Sequence, residues 1–248
     1  MRIFCHFLGN KVVYIFCRVD CPCFVGFACS AIGSGYIVTV YKEDIFVGYR
    51  YFDTFKVEPR YPFGYGLGYT DFEIQTKKVS LDGSKVTVKA LVSNVGEHFA
   101  GKEVVEIYVS SPSITMQKEY QSLAAFKKSK EIGPKQSEMM EVSFDLQDLA
   151  SYRESDASYI LEAGKYVVRI GNSSRNTTVA AVLLLEEKVV VSRHENICPQ
   201  VKEVEELSRT IAAAEEDLTG IDAKTIKLDD KDVAFNLASM TAIKEEIL

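Results

Sequence analysis

The chain has 248 residues, enough for one large domain or two small ones with a real hydrophobic core. Hydrophobic residues make up 47% and charged residues 26%, which are the proportions of a globular protein. The formal net charge of -6 creates no basic field that could attract DNA, RNA or an anionic membrane surface. We therefore expect no nucleic-acid partner.

Residues 1–40 form an apolar, cysteine-rich segment that differs from the rest of the chain. No charged side chain occurs between Cys21 and Val40, and this stretch is long enough to cross a bilayer as a helix. Pro22 and several glycines and serines reduce its hydrophobicity. Two interpretations stay open: export or membrane anchoring through residues 12–40, or an irregular, non-native end. We favour the second, and with it the cytoplasm slightly, but the localisation is not determined.

The cysteines do not form a recognisable metal-binding pattern. Five lie in the first 30 residues and one far downstream, at positions Cys5, Cys17, Cys21, Cys23, Cys29 and Cys198. A zinc site usually needs two separated ligand pairs with regular spacing, and only Cys21 and Cys23 come close to forming one. We predict no metal site and no cofactor. Residues 41–190 contain no cysteine, so this part cannot depend on disulfides.

Residues 41–70, which we call the junction segment, are rich in tyrosine, phenylalanine and glycine. The aromatic rings offer large areas for packing while their hydroxyl groups stay hydrogen-bonded. The composition therefore favours a seam between two domains. The alternative is a sugar site, because aromatic rings, a guanidinium and a carboxylate suit stacking and hydroxyl contacts. The candidate substrate-binding residues for that alternative are Arg50, Tyr51, Asp53 and Tyr65.

Residues 71–195 have the pattern of short strands separated by turns. Lys85 to Val92 alternates polar and apolar side chains with a period of two, as a half-buried strand does. Further strands are predicted at Glu103–Val109, Leu123–Lys127, Ser137–Phe144, Lys165–Ile170 and Thr177–Leu185. Turns are predicted at Asp82-Gly83, Asn94-Val95-Gly96, Gly133-Pro134, Ala163-Gly164 and Gly171-Asn172. This spacing indicates a β-sandwich.

Residues 196–248 form an acidic tail. Apolar residues recur at helical spacing from Val201 to Leu218 among many glutamates, and Gly220 is placed to end a helix. We predict a solvent-exposed amphipathic helix followed by a loose tail or linker. A short helix at Ala234–Leu248 is also predicted.

Several separated blocks stand out along the chain, namely Tyr41–Phe55, Glu58–Glu73, Gly101–Val109, Leu123–Phe126, Phe144–Tyr152 and Gly164–Ser174. They resemble the C-terminal part of glycoside hydrolase family 3, the β-glucosidases and their relatives. The resemblance covers about residues 41–195, in the family's order. It implies that residues 41–70 end the α/β-sandwich domain and that residues 71–195 form a fibronectin type III-like domain. The expected fold class is mainly β, a fibronectin type III or immunoglobulin-like sandwich with an irregular N-terminal segment and an acidic helical tail.

The resemblance does not bring the family's catalytic residues with it. Retaining glycosidases use two carboxyl groups, one as the nucleophile and one as the acid/base. In the family the nucleophilic aspartate belongs to an α/β barrel, commonly beside a tryptophan, and this chain has no tryptophan and no barrel-length pattern. Glu103 and Glu106 are expected on a strand without a partner carboxylate. We therefore nominate no catalytic residue.

We predict a non-catalytic module that scaffolds the catalytic domains of a family 3 β-glycosidase, with those domains as its partners. Two alternatives stay open. The sandwich is a carbohydrate- or protein-binding module on its own, with an oligosaccharide as ligand, or the chain is a subunit that completes a split β-glucosidase. Sugar and linkage specificity do not follow from the sequence.

Overall fold

The computed structural model describes residues 28–32, 36–40, 42–195, 205–209, 218 and 223–226. The chain divides into two compact units. One comprises Met1–Asp44 with Gln200–Ser208, and the other comprises Ile45–Pro199 with Arg209–Leu248.

The described part of the first unit contains an antiparallel hairpin of β1 (Ala28–Ile32) and β2 (Tyr36–Val40). The prediction of an irregular N-terminal segment is therefore wrong for these ten residues, in which aliphatic and β-branched side chains suit a strand. In the same unit, Leu207 N donates a hydrogen bond to Lys42 O at 2.7 Å. No helix among the described residues is long and apolar enough to cross a membrane.

The second unit contains the β-sandwich. Its elements are α1 (Tyr49–Thr54), β3 (Phe72–Asp82), β4 (Lys85–Asn94), β5 (Val104–Ser110), β6 (Ser122–Lys128), β7 (Ser137–Asp145), β8 (Ser151–Arg153), β9 (Ser158–Leu161), β10 (Gly164–Ser173), β11 (Asn176–Leu185), β12 (Val189–Arg193) and β13 (Ala223–Ile226). Two short 3-10 helices, Leu146–Leu149 and Glu154–Asp156, lie on either side of β8. The predicted mainly-β fold is confirmed.

The described strands of the second unit form two principal sheets and a small one. The first has the order β3-β4-β7, the second has the order β13-β11-β10-β5-β6, and β12-β9-β8 form the third. The described strands of the second unit pair in antiparallel fashion, with one exception. Residues Val182–Leu185 of β11 pair in parallel with Ala223–Ile226 of β13. We call the five-stranded sheet the large sheet.

The hydrophobic core lies between the two principal sheets. β4 alternates buried and less buried positions along its whole length, as the alternation in its sequence predicts. Its core residues meet side chains from β5, β7, β10 and β11 in one cluster, which includes Val86, Val88, Ala90, Val92, Val105, Ile107, Val109, Met140, Val142, Phe144, Tyr166, Val168, Ile170, Ala181, Leu183 and Leu185. Aliphatic side chains from two facing sheets therefore form a single core.

The six predicted strands are confirmed as β4, β5, β6, β7, β10 and β11. The turn predicted at Gly171-Asn172 is wrong, because both residues belong to β10 and Gly171 pairs with Thr177. A Cβ atom on Gly171 would lie 1.9 Å from Asn176 O. The glycine thus permits the close approach of β11 at a bulge, and the chain turns later, at residues 174–175.

The central strands of the large sheet are buried on both faces. Five consecutive residues of β5 and six of β10 are buried, so side chains directed away from the core are covered too. A sandwich of this kind usually leaves its outer faces in water. The junction segment supplies part of this cover, with Tyr49 against Tyr108 and Gly64 against Glu106. The contacts between the junction segment and the sandwich form the candidate site.

The predicted helix over residues 201–218 lies mostly outside the described residues. Residues 205–209 and 218 are described and are not helical, which departs from the prediction. Residues 223–226, predicted as loose tail, form the edge strand β13. The helix predicted at Ala234–Leu248 lies outside the described residues.

Candidate functional site

The junction segment contains α1, which carries three of the four candidate sugar-binding residues, Arg50, Tyr51 and Asp53. α1 begins after Gly48, whose φ of 61° lies in the left-handed region that favours glycine. With six residues α1 is too short to be stable alone, so contacts with the sandwich must hold it.

The buried carboxylate of Asp53 binds side chains of the sandwich. Gln121 Nε2 donates to Asp53 Oδ2 at 3.1 Å, and Arg175 Nε lies 2.6 Å from Asp53 Oδ1. Arg175 Nη2 also donates to Phe52 O at 3.0 Å and to Val57 O at 2.9 Å. Arg175 lies in the turn between β10 and β11, so its guanidinium attaches α1 and the next residues to the sandwich.

Two further hydrogen bonds connect α1 to the β5–β6 loop (residues 111–121) and to β6, and a third connects the loop to the β10–β11 turn. Tyr120 N donates to Thr54 Oγ1 at 2.8 Å, and Leu123 N donates to Tyr49 Oη at 2.8 Å. Gln121 Nε2 also donates to the backbone oxygen of Ser174 at 2.7 Å. The polar side chains of α1 therefore serve internal contacts between α1, the loop and the β10–β11 turn.

The other candidate residues lie in different surroundings. Arg50 Nε is 3.7 Å from Glu119 Oε1, and its side chain is partly exposed. The Tyr51 ring packs on Phe55 with centroids 4.9 Å apart, whereas Tyr65 is half exposed and lies 5.0 Å from the ring of Tyr61. Within residues 42–195, no hydrogen bond, ion pair or ring contact joins Tyr65 to the other three. Sugar contact by these four residues stays a prediction.

Glu106 is a buried carboxylate on the outer face of β5, and Tyr108 Oη donates to its Oε2 at 2.6 Å. Burial raises the pKa of Glu106, the hydrogen bond from Tyr108 lowers it, and the negative charge of Glu103 raises it further. Burial and the same hydrogen bond also raise the pKa of Tyr108. The Glu106 carboxylate is therefore a buried hydrogen-bond acceptor for Tyr108.

The backbone of the junction segment covers this carboxylate. Gly64 has a φ of 83°, and a Cβ atom there would lie 2.6 Å from Glu106 Oε2 and 2.8 Å from Ser173 Cα. Ser174 N donates to Phe63 O at 2.8 Å beside it, and the rings of Tyr49 and Phe63 lie 4.9 Å apart. A sugar ring cannot reach Glu106 while these contacts persist, so the carboxylate is a packing element in this conformation.

Stability should respond to the protonation of Glu106. The folded chain binds this proton more tightly than the unfolded chain, because burial raises the folded-state pKa above 4.5. The contribution of Glu106 to stability is therefore most favourable when the pH lies below the ordinary glutamate pKa, and it declines as the pH rises through the folded-state pKa. Glu106→Gln stays neutral, so we expect the wild-type chain to lose stability relative to this variant as the pH rises above the ordinary pKa of a glutamate, measured by urea unfolding. Glu131→Gln, at an exposed glutamate, is the control. A pH-independent difference between wild type and Glu106→Gln would contradict the prediction.

Buried charges also order the β5–β6 loop. Glu162 accepts hydrogen bonds from Ile114 N at 3.0 Å, Thr115 N at 2.8 Å and the Thr115 hydroxyl. Lys118 Nζ donates to Ser151 Oγ, and burial lowers the pKa of this lysine. The loop is thereby held over the large sheet, where it supplies Tyr120 and Gln121 to the contacts with α1.

Among the described residues, no group of three histidine, cysteine, aspartate or glutamate side chains is arranged to hold a metal ion. Five of the six cysteines lie outside the described residues, namely Cys5, Cys17, Cys21, Cys23 and Cys198.

Residues 103–174 match the family described as "Fibronectin type III-like domain". The chain is 36% identical over 179 residues to the "Beta-glucosidase" of Ruminococcus albus. This alignment covers 70% of this chain and 19% of that relative. The chain therefore spans about a fifth of the length of such relatives.

Solved structures show the same partial similarity. A β-glucosidase from Paenibacillus barengoltzii aligns with a TM-score of 0.62 at 36% identity, over 64% of this chain and 19% of that chain. β-Glucosidase 3B from Thermotoga neapolitana, solved with α-D-glucose, aligns with a TM-score of 0.54 at 42% identity, over 61% of this chain and 21% of that chain.

Proposed function

We propose, from the premise that this chain carries the fibronectin type III-like domain of glycoside hydrolase family 3 β-glucosidases, that it acts as a non-catalytic scaffold module. In the relatives this domain is part of a much longer protein. Hydrolysis of β-glycosidic bonds would then depend on catalytic domains that serve as partners of the module.

One observation carries the non-catalytic part of the proposal. Two buried carboxylates at the junction, Asp53 and Glu106, are both held by neighbouring side chains. Catalysis by a retaining glycosidase requires two carboxyl groups that flank the scissile bond of a bound sugar. Asp53 is bound by Arg175 and Gln121, and Glu106 is bound by Tyr108 beneath the junction segment, so both carboxylates are suited to joining parts of the protein.

The test is hydrolysis of a panel of 4-nitrophenyl glycosides by the purified 248-residue chain, beside the Ruminococcus albus β-glucosidase as positive control. We expect no turnover above the buffer rate by the chain alone. Turnover that a single aspartate or glutamate substitution abolishes would contradict the proposal.

An oligosaccharide-binding module is the second candidate, and the exposed ring pair supports it. Tyr61 and Tyr65 are each at least half exposed, and the guanidinium of Arg60 lies 5.7 Å from the centroid of Tyr61. Such a pair can stack on the apolar face of a sugar ring. Calorimetric titration with cello-oligosaccharides separates the candidates, because a scaffold needs no sugar affinity.

A further inference from the structure

The junction segment has a second side that the sandwich does not cover. Residues 61–69, which we call the aromatic segment, read Tyr-Pro-Phe-Gly-Tyr-Gly-Leu-Gly-Tyr. Leu67 and Tyr69 are both 90% exposed, and Tyr61 and Tyr65 are 59% and 51% exposed. The ring of Tyr69 contacts the exposed Phe99 at a centroid distance of 6.0 Å. Large apolar groups concentrated in this way mark an interaction surface more often than a solvated loop.

Contacts with the sandwich hold the middle of the aromatic segment. Ser174 N of the sandwich donates to Phe63 O at 2.8 Å. Within the junction segment itself, the Phe63 ring packs against Tyr49, and Tyr65 N donates to Pro62 O at 3.1 Å. The sandwich packs so closely around Gly64 that no Cβ atom would fit there. A segment held in this way loses little conformational freedom when it binds, and this favours affinity.

The chemistry of the segment indicates the class of partner. Its nine residues include no charged side chain, and its rings combine apolar faces with hydroxyl groups. Aromatic anchors of this kind dominate the centres of protein–protein interfaces. Nucleic acid or an anionic membrane would instead require a cluster of lysines and arginines.

We infer that the aromatic segment, with Phe99, is the surface through which this module binds the remaining part of a family 3 β-glucosidase. This inference rests on the proposed function and names the surface that performs it. In the relatives the matched region is joined to about four fifths of a longer polypeptide. The junction segment then acts as an adaptor, whose inner side binds the sandwich through Tyr49, Asp53 and Phe63 while its outer side binds the catalytic part.

The test co-expresses the full 248-residue chain with tagged Ruminococcus albus β-glucosidase from which the region matching this chain has been deleted. We expect the wild-type chain to co-purify with the tagged protein in a 1:1 ratio. Leu67→Asp and Tyr69→Asp should each reduce recovery at least tenfold, because a buried unpaired carboxylate opposes an apolar interface. Phe126→Asp, at a phenylalanine of β6 that is 68% exposed, is the matched control and should leave recovery unchanged. Both test positions are almost fully exposed, so the variants should keep the wild-type unfolding transition.

Three results would overturn the inference. They are no recovery of the wild-type chain, equal reductions in recovery for Leu67→Asp and Phe126→Asp, and wild-type recovery for both Leu67→Asp and Tyr69→Asp. Sedimentation of the chain alone tests whether a second copy of the chain binds the aromatic segment. Self-association that Leu67→Asp abolishes would overturn the inference and assign the surface to a homodimer. Displacement of the wild-type chain by cellobiose would assign the surface to sugar instead. The glycoside panel is independent of these results. Wild-type recovery with no loss in the variants would therefore leave the scaffold proposal standing and move its surface elsewhere.

Discussion

Replacing Arg175 with methionine is expected to lower the free energy of unfolding by about 3 kcal/mol, as measured by urea denaturation. The substitution leaves the Asp53 carboxylate, whose side chain is only 2% exposed, without its cationic partner. It also removes the donor that serves the backbone oxygens of Phe52 and Val57. Methionine preserves most of the apolar length of the arginine side chain, so the loss reflects the charge and the hydrogen bonds.

The matched control is Lys89→Met, which breaks an exposed ion pair with Glu141 on the surface of the sandwich. Solvent screens that pair, and we expect little change in stability. The double variant Asp53→Asn/Arg175→Met should recover part of the loss, because it no longer buries an unpaired charge. An Arg175→Met variant as stable as Lys89→Met would show that the guanidinium does not hold α1 in place.

Alanine at Gly64 is expected to destabilise the fold by a similar amount, about 3 kcal/mol in total. The positive φ of Gly64 costs a residue with a Cβ atom about 1 kcal/mol. The remaining cost, about 2 kcal/mol, comes from overpacking against Glu106 and the backbone of Ser173. The measurement is again the free energy of unfolding in urea.

Two other glycines of the junction segment separate these causes. Gly48 also has a positive φ, but nothing lies within 4 Å of the position that a Cβ atom would occupy there, so Gly48→Ala should show the backbone cost alone. Gly66 has neither feature, and Gly66→Ala should be neutral or slightly stabilising. Equal effects at all three positions would contradict the close packing of the junction segment on β5.

The sandwich is predictable from the sequence where one strand face meets the core and the other meets water. β4 is the clearest case, since its alternating pattern corresponds directly to its alternating burial. Short strands such as β8 and β9 offer too few residues for any period to be recognised. β3 is not predicted either, and a register shift between Thr76 and Lys78 interrupts its alternation. The turn prediction at Gly171 is wrong because a glycine that admits a neighbouring strand resembles one that forms a turn.

The contacts of the candidate site are less predictable because they join residues that are remote in sequence. Asp53 and Arg175 are separated by more than a hundred residues, and nothing local to either residue indicates the other. The same holds for Gln121, a fully buried amide that bonds both Asp53 and Ser174. The sequence does indicate that the aromatic residues of the junction segment favour packing. It does not show which rings pack on the sandwich and which stay exposed.

The guanidinium of Arg175 has a mechanical consequence. It holds two backbone oxygens five residues apart, those of Phe52 and Val57, together with the carboxylate between them. A chain fixed at three points cannot swivel about any single bond, so α1 and the β10–β11 turn move as one body. A rotation of the sandwich would therefore carry residues 52–57 with it.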